Sequence, residues 1–159
     1  MQKFLWAGAI SLIATNQAAL ATDRVAQIES VQSDKCLDVS GNSKEPEAPI
    51  IQYSCTGADN QKWAIKDRGD GVHDITAVHS GMCMDVSKAS MEDAALIIQY
   101  PCNGQANQGF RISETDGLFT ITSASSAKCL DIEGGVVTDE ARVIQYACSG
   151  QPNQQFRLK

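Results

Sequence analysis

The sequence predicts an all-β body, closed on itself and assembled from three copies of one unit. Three observations carry that prediction. The cysteines recur in register: Cys36, Cys83 and Cys129 stand 47 and 46 residues apart, and Cys55, Cys102 and Cys148 repeat the same two steps. Twelve positions are identical in all three copies; in the first they are Ile28, Ser33, Cys36, Asp38, Ala48, Ile51, Gln52, Tyr53, Cys55, Gly57, Asn60 and Gln61. No window keeps a helical period over three turns, whereas each copy alternates short apolar runs with Gly, Asn, Ser and Pro, the pattern of strands broken by turns. Self-similarity at a fixed period decides the architecture before any local reading does.

The elements follow in chain order. Lys3, the apolar stretch Phe4 to Ile13 and the small-residue triplet Ala19-Leu20-Ala21 read as a signal peptide, residues 1–21, cut before Thr22. The apolar stretch is too short to span a bilayer, which takes about 20 apolar residues. Residues 22–159 then hold the repeats, at about 25–68, 72–114 and 118–159. Each opens on an alternating strand (Gln27 to Glu29, His73 to Thr76, Phe119 to Thr122), with His73 expected at the surface. A second strand is Cys36-Leu37-Asp38-Val39, a third Ile50-Ile51-Gln52-Tyr53 and a fourth Trp63-Ala64-Ile65. Four strands in three copies make roughly twelve, and a closed body leaves no edge strand exposed. A solenoid is the competing repeat architecture, but all-β solenoid units are shorter and lack paired cysteines.

Composition narrows the function. The chain has 159 residues, 13 Lys and Arg against 19 Asp and Glu, and a net charge of −6. Its basic residues are scattered, so it has no run to neutralise a nucleic-acid backbone, and no segment is expected to insert in a membrane. Export permits oxidised cysteines, and there is no C-x-x-C to hold zinc or run redox chemistry. Six cysteines allow 15 pairings; the repeat symmetry favours Cys36–Cys55, Cys83–Cys102 and Cys129–Cys148, each copy closing its own loop.

Two columns hold nearly all the aromatics of residues 22–159. Trp63, Phe110 and Phe156 end a strand among aliphatics and interchange, which suits a core filler. Tyr53, Tyr100 and Tyr146 sit instead among polar residues, two positions before a Cys. With them recur Asp38, Asp85 and Asp131 and the pairs Asn60-Gln61, Asn107-Gln108 and Asn153-Gln154. A ring face, a carboxylate and an amide are what a neutral sugar asks for: stacking for its C–H face, fixed acceptors and donors for its hydroxyls. The competing use of the Asp and Asn-Gln groups is to cap turns and satisfy backbone N–H.

The linked pattern Cys-Leu-Asp-Val, Ile-Gln-Tyr-x-Cys and Asn-Gln-x-Trp, three times over, resembles the ricin-type β-trefoil lectin, also used as a carbohydrate-binding module of glycoside hydrolases. The closing motif stands as Gln61-Lys62-Trp63, Gln108-Gly109-Phe110 and Gln154-Gln155-Phe156. The resemblance implies a pseudo-threefold trefoil, six strands in a barrel and six in a hairpin cap. It also implies one shallow sugar site per repeat: Asp38, Tyr53 and Asn60; Asp85, Tyr100 and Asn107; Asp131, Tyr146 and Asn153. Gln61, Gln108 and Gln154 then steady the aspartates. Many of these lectins place a Gln two residues before the stacking aromatic, where this chain has Ile51, Ile98 and Ile144, with Gln immediately before Tyr instead. Gln52 would face away from Tyr53 in a regular strand, so it is either structural or the strand bulges.

No enzyme is expected, no cofactor and no metal. His73 and His79 have neither metal-ligand spacing nor a nucleophile pattern, and one carboxylate used three times in like settings does not divide into the acid and base of a glycosidase. The reading is an exported, lectin-like protein, secreted or periplasmic, whose partners are galactose-like sugars or a polysaccharide. The alternatives are a cell-surface-binding delivery subunit of a bacterial toxin or adhesin, with a partner protein subunit, and a trefoil-type protease inhibitor. The three intact polar triads argue against the inhibitor.

Overall fold

A computed structural model describes residues 23–159; the expected signal peptide lies outside them. The fold begins with two short strands, β1 (Arg24–Ala26) and β2 (Ile28–Ser30), followed by β3 (Cys36–Val39), β4 (Ile50–Tyr53) and β5 (Trp63–Gly69). The second repeat supplies β6 (Val72–Ala77), β7 (Cys83–Val86), β8 (Ile97–Tyr100) and β9 (Phe110–Thr115). The third supplies β10 (Leu118–Ser123), β11 (Cys129–Ile132), β12 (Val143–Tyr146) and β13 (Phe156–Leu158).

The outer strands of the repeats pair in a ring, β1 with β5, β5 with β6, β6 with β9, β9 with β10, β10 with β13 and β13 with β2. Gln27, between β1 and β2, closes it by exchanging main-chain bonds of 2.8 and 3.0 Å with Lys159. That interruption at Gln27 is why thirteen short strands are found where about twelve were expected. The inner strands form the hairpins β3·β4, β7·β8 and β11·β12. Single bridges join the hairpins cyclically: Pro49 to Ile98, Leu96 to Ile144 and Ile51 to Arg142. The architecture is the β-trefoil.

The core is where the periodicity placed it. Trp63, Phe110 and Phe156 are fully buried with Ile28, Ile75 and Ile121 and with Leu37, Met84 and Leu130 from the hairpins. Trp63 Nε1 donates to Leu37 O at 3.1 Å, so the one indole in this column has its polar atom satisfied. His73 is not at the surface. It shares a position with Ala26 and Phe119, all three buried, because strand alternation aims every second residue of β6 inward along with Ile75. Disulfides join Cys36–Cys55, Cys83–Cys102 and Cys129–Cys148, one within each repeat. No helix among the described residues is long and apolar enough to cross a membrane.

Candidate functional site

Each site begins on a hairpin. In β3, Leu37 and Val39 face the core, so the pleat turns Cys36 and Asp38 to the opposite face. The register sets Asp38 opposite Ile51 and Cys36 opposite Tyr53, so Asp38 and Tyr53 lie diagonally on that same face. Beyond β4 the Cys36–Cys55 disulfide holds the outgoing chain against β3. A 3-10 turn at Asp59–Gln61 then brings Asn60 and Gln61 back under the carboxylate.

Gln61 is wholly buried and uses its amide fully. Nε2 donates to Asp38 Oδ2 at 2.8 Å and to Ser54 O at 3.0 Å, while Oε1 accepts from Thr56 N at 2.7 Å. Gln108 and Gln154 repeat the arrangement, at 2.8 Å to Asp85 and to Asp131. Asn107 and Asn153 Nδ2 donate to the other oxygen of their aspartates at 3.2 and 3.1 Å, and Asn60 Nδ2 donates to Val39 O at 3.3 Å. The structure thus brings together each expected triad and its steadying Gln. The use that competes with sugar binding is present: Gln61 Oε1 satisfies the backbone N–H of Thr56, and the same amide also orients the carboxylate.

The electrostatics follow from burial. Asp38, Asp85 and Asp131 are nearly inaccessible, and desolvation raises each carboxyl above its ordinary range, opposed by the Gln and Asn hydrogen bonds. His79 draws Asp38 downward and Asp139 pushes it up, while Glu133 pushes Asp131 up, so the three copies are not electrostatically alike. Above the acids the tyrosine rings stay open to solvent, at 38, 39 and 44% for Tyr53, Tyr100 and Tyr146. That leaves an aromatic face free to stack beside a fixed acceptor. Asp38, Tyr53 and Asn60 line an open cleft of about 430 Å³, and Asp85, Tyr100 and Asn107 one of about 250 Å³.

The Gln before each Tyr is structural and the strand does not bulge, since β3·β4 keeps a regular register through Gln52. Gln52 is fully buried. It accepts from Ser33 Oγ at 2.8 Å and donates to Val136 O and Thr138 O, at 3.0 and 2.7 Å, in the loop of the third repeat. Gln99 clasps Ser43 O and Glu45 O, and Gln145 clasps Ser90 O and Glu92 O, in the same way. The identity of the Ser33 and Gln52 columns was the only trace of this clamp in the sequence. Two of the clasped loops reach a neighbour's site: Glu140 lines the first cleft and Glu47 the second. Neither residue was expected there, because their shared column is not identical in all three copies, the second having Ala94. Glu29, Cys36 and Cys55 are the one cluster of metal-ligand types among the described residues, and its two sulfurs are tied up in a disulfide.

Comparison with known proteins agrees with this geometry. The profile of the Ricin-type beta-trefoil lectin domain matches residues 24–156. A designed threefold-symmetric protein, ThreeFoil, superposes with a TM-score of 0.83 at 42% identity, over 84% of this chain and 96% of that one. The exo-β-1,3-galactanase 1,3Gal43A from Clostridium thermocellum superposes with a TM-score of 0.82 at 32% identity, over 87% of this chain but 30% of the galactanase. A 36-residue stretch, 23% of this chain, is 53% identical to the probable lipoprotein EnvE of Salmonella typhimurium, and it spans 21% of that protein.

Proposed function

Because the chain belongs to the ricin-type β-trefoil lectin family, we propose that it is an exported carbohydrate-binding protein with three shallow sugar sites, one per repeat, and no catalysis of its own. The observation that carries this reading is the thrice-built stack of an exposed Tyr ring beside a buried carboxylate whose orientation is fixed by Gln and Asn. An ionised Asp accepts from adjacent sugar hydroxyls, the ring covers the C–H face, and the Asn amide oxygen offers a further acceptor, since Asn107 and Asn153 spend both Nδ2 hydrogens on the aspartate and on Val86 O and Ile132 O. One shallow site binds modestly, whereas three on a rigid body gain by effective concentration on a multivalent glycan. Galactose-type sugars and polysaccharides are the first ligands to test, given the galactanase among the structural relatives. Three disulfides fit an oxidising compartment, secreted or periplasmic.

The test is a glycan array probed with the oxidised protein and with the combined variant Asp38→Asn, Asp85→Asn, Asp131→Asn, folding checked by circular dichroism. The expected result is specific binding by the parent and none by the folded variant. A parent silent on every glycan at high valency would overturn the reading.

A further inference from the structure

The same backbone position lines the first two clefts from the neighbouring repeat and makes the equivalent main-chain bond beside the third, and it carries different side chains. Glu140, of the third repeat, stands over Asp38 and Tyr53, and Glu47, of the first, over Asp85 and Tyr100. The equivalent residue of the second repeat, which serves the third site, is Ala94. The loops are otherwise built alike: the N–H groups of Glu140, Glu47 and Ala94 donate to the carbonyls of Gln52, Gln99 and Gln145 at 2.9, 2.8 and 2.9 Å. All three residues have positive φ, at 70°, 68° and 65°. That conformation favours Gly or Asn and is unfavourable for Glu. Sparse backbone conformations of this kind concentrate at ligand sites. Both glutamates are solvent-exposed, and neither has an ion-pair partner among the described residues.

We propose that Glu140 and Glu47 are specificity-determining acceptors supplied across the repeat boundary, so that the first two sites select neutral, hydroxyl-rich sugars and reject acidic ones, while the third binds the neutral sugar more weakly. The inference rests on the lectin reading of the same clefts. A second carboxylate adds a charge-assisted acceptor for a sugar hydroxyl and sets a like charge against any uronic or sialic carboxylate. The first cleft is lined by Asp38 and Glu140 without a Lys or Arg, whereas Lys88 lines the second beside Asp85 and Glu47. Rejection of acidic sugars is therefore strongest at the first site.

Heteronuclear NMR resolves the sites, because Gly57, Gly104 and Gly150 occupy the same position in the three repeats, one in each loop between the Tyr and the Asn. The oxidised protein is titrated with the methyl glycosides of galactose, glucose and mannose and with the corresponding uronic acids. For the neutral glycoside that binds, the expected result is affinity about tenfold higher at Gly57 and Gly104 than at Gly150, the worth of one charge-assisted hydrogen bond. Its uronic counterpart should leave Gly57 unmoved. Glu140→Gln should weaken neutral binding and admit the acid at the first site alone, and Ala94→Glu should strengthen the third. If Glu140→Gln changes neither affinity at Gly57 while Asp38→Asn abolishes binding there, this inference fails and the lectin reading stands. Silence of all three glycines with every probe overturns the inference; silence on the glycan array as well overturns the lectin reading.

Discussion

Replacing Gln52 with Met isolates the clamp that ties one repeat to the next. The two side chains are of similar length, so packing is nearly preserved while three hydrogen bonds disappear, from Ser33 Oγ and to Val136 O and Thr138 O. At about 1 kcal/mol net per bond that is roughly 3 kcal/mol. Burying the thioether in place of the amide returns about 1 kcal/mol, leaving a loss of about 2 kcal/mol. Urea unfolding followed by the fluorescence of Trp63, buried in the core and the only Trp after residue 6, measures it. With a slope of about 2 kcal/mol per molar urea, the midpoint falls by about 1 M. Gln99→Met serves as an internal replicate, because its three bonds are the same. A midpoint unchanged in both variants would refute the reasoning and mean that the main-chain bonds to Gln52, from Glu140 N and to Ala141 O, hold the loop unaided.

Three other predictions follow from the site and its frame. Sugar affinity, followed by calorimetry, is flat near neutral pH and declines as pH falls through a midpoint above the ordinary Asp value of 3.8, because the accepting form is the carboxylate and its raised pKa brings protonation sooner. Removing the Cys36–Cys55 bridge by the double Ala variant costs about 3 kcal/mol in the same urea assay, the chain-entropy worth of a loop of about 20 residues. Glu29→Gln loosens the barrel seam by about 1–2 kcal/mol, since buried Glu29 pairs with Arg157 of β13 and with Lys159 just beyond it; faster amide exchange at Ile28 and Ser30 than at Ile75 reports it.

What the sequence made legible was whatever each repeat does alone. The bounds of β3 and β4 match the expected Cys36–Val39 and Ile50–Tyr53, because strand identity, disulfide and site all act on those short runs. Asp38, Tyr53, Asn60 and Gln61 could be grouped for the same reason: their contacts are within one copy. β5 runs on to Gly69, past the expected Ile65, since Lys66, Asp67 and Gly69 pair with β6, the register shifting across Arg68, in an exposed hairpin that carries no apolar signal. His73 was misplaced because a polar type was weighed above its position two residues from Ile75 on the inward face. The clamp of Gln52 and the approach of Glu140 join residues more than 80 positions apart, and no local pattern encodes such a contact.

The carboxylates set function against stability, and that opposition is informative. Burial raises the pKa of Asp38, Asp85 and Asp131 in the folded chain. The unfolded chain therefore gives up those protons first, and stability falls as pH rises through the interval between the ordinary value and the raised one. Wherever it is ionised, each aspartate is a charge whose desolvation its Gln and Asn partners only partly offset. A group kept only for the fold would not be held in that state three times, since an amide or an apolar residue would avoid the desolvation of a charge. On the proposed reading a sugar hydroxyl donates to these carboxylates, so that ligand binding and the folded-state cost act on the same oxygen atoms. The expected signature is that a saturating ligand raises the urea midpoint most at pH values where all three aspartates are ionised, and that the gain shrinks as the pH is lowered through their titration.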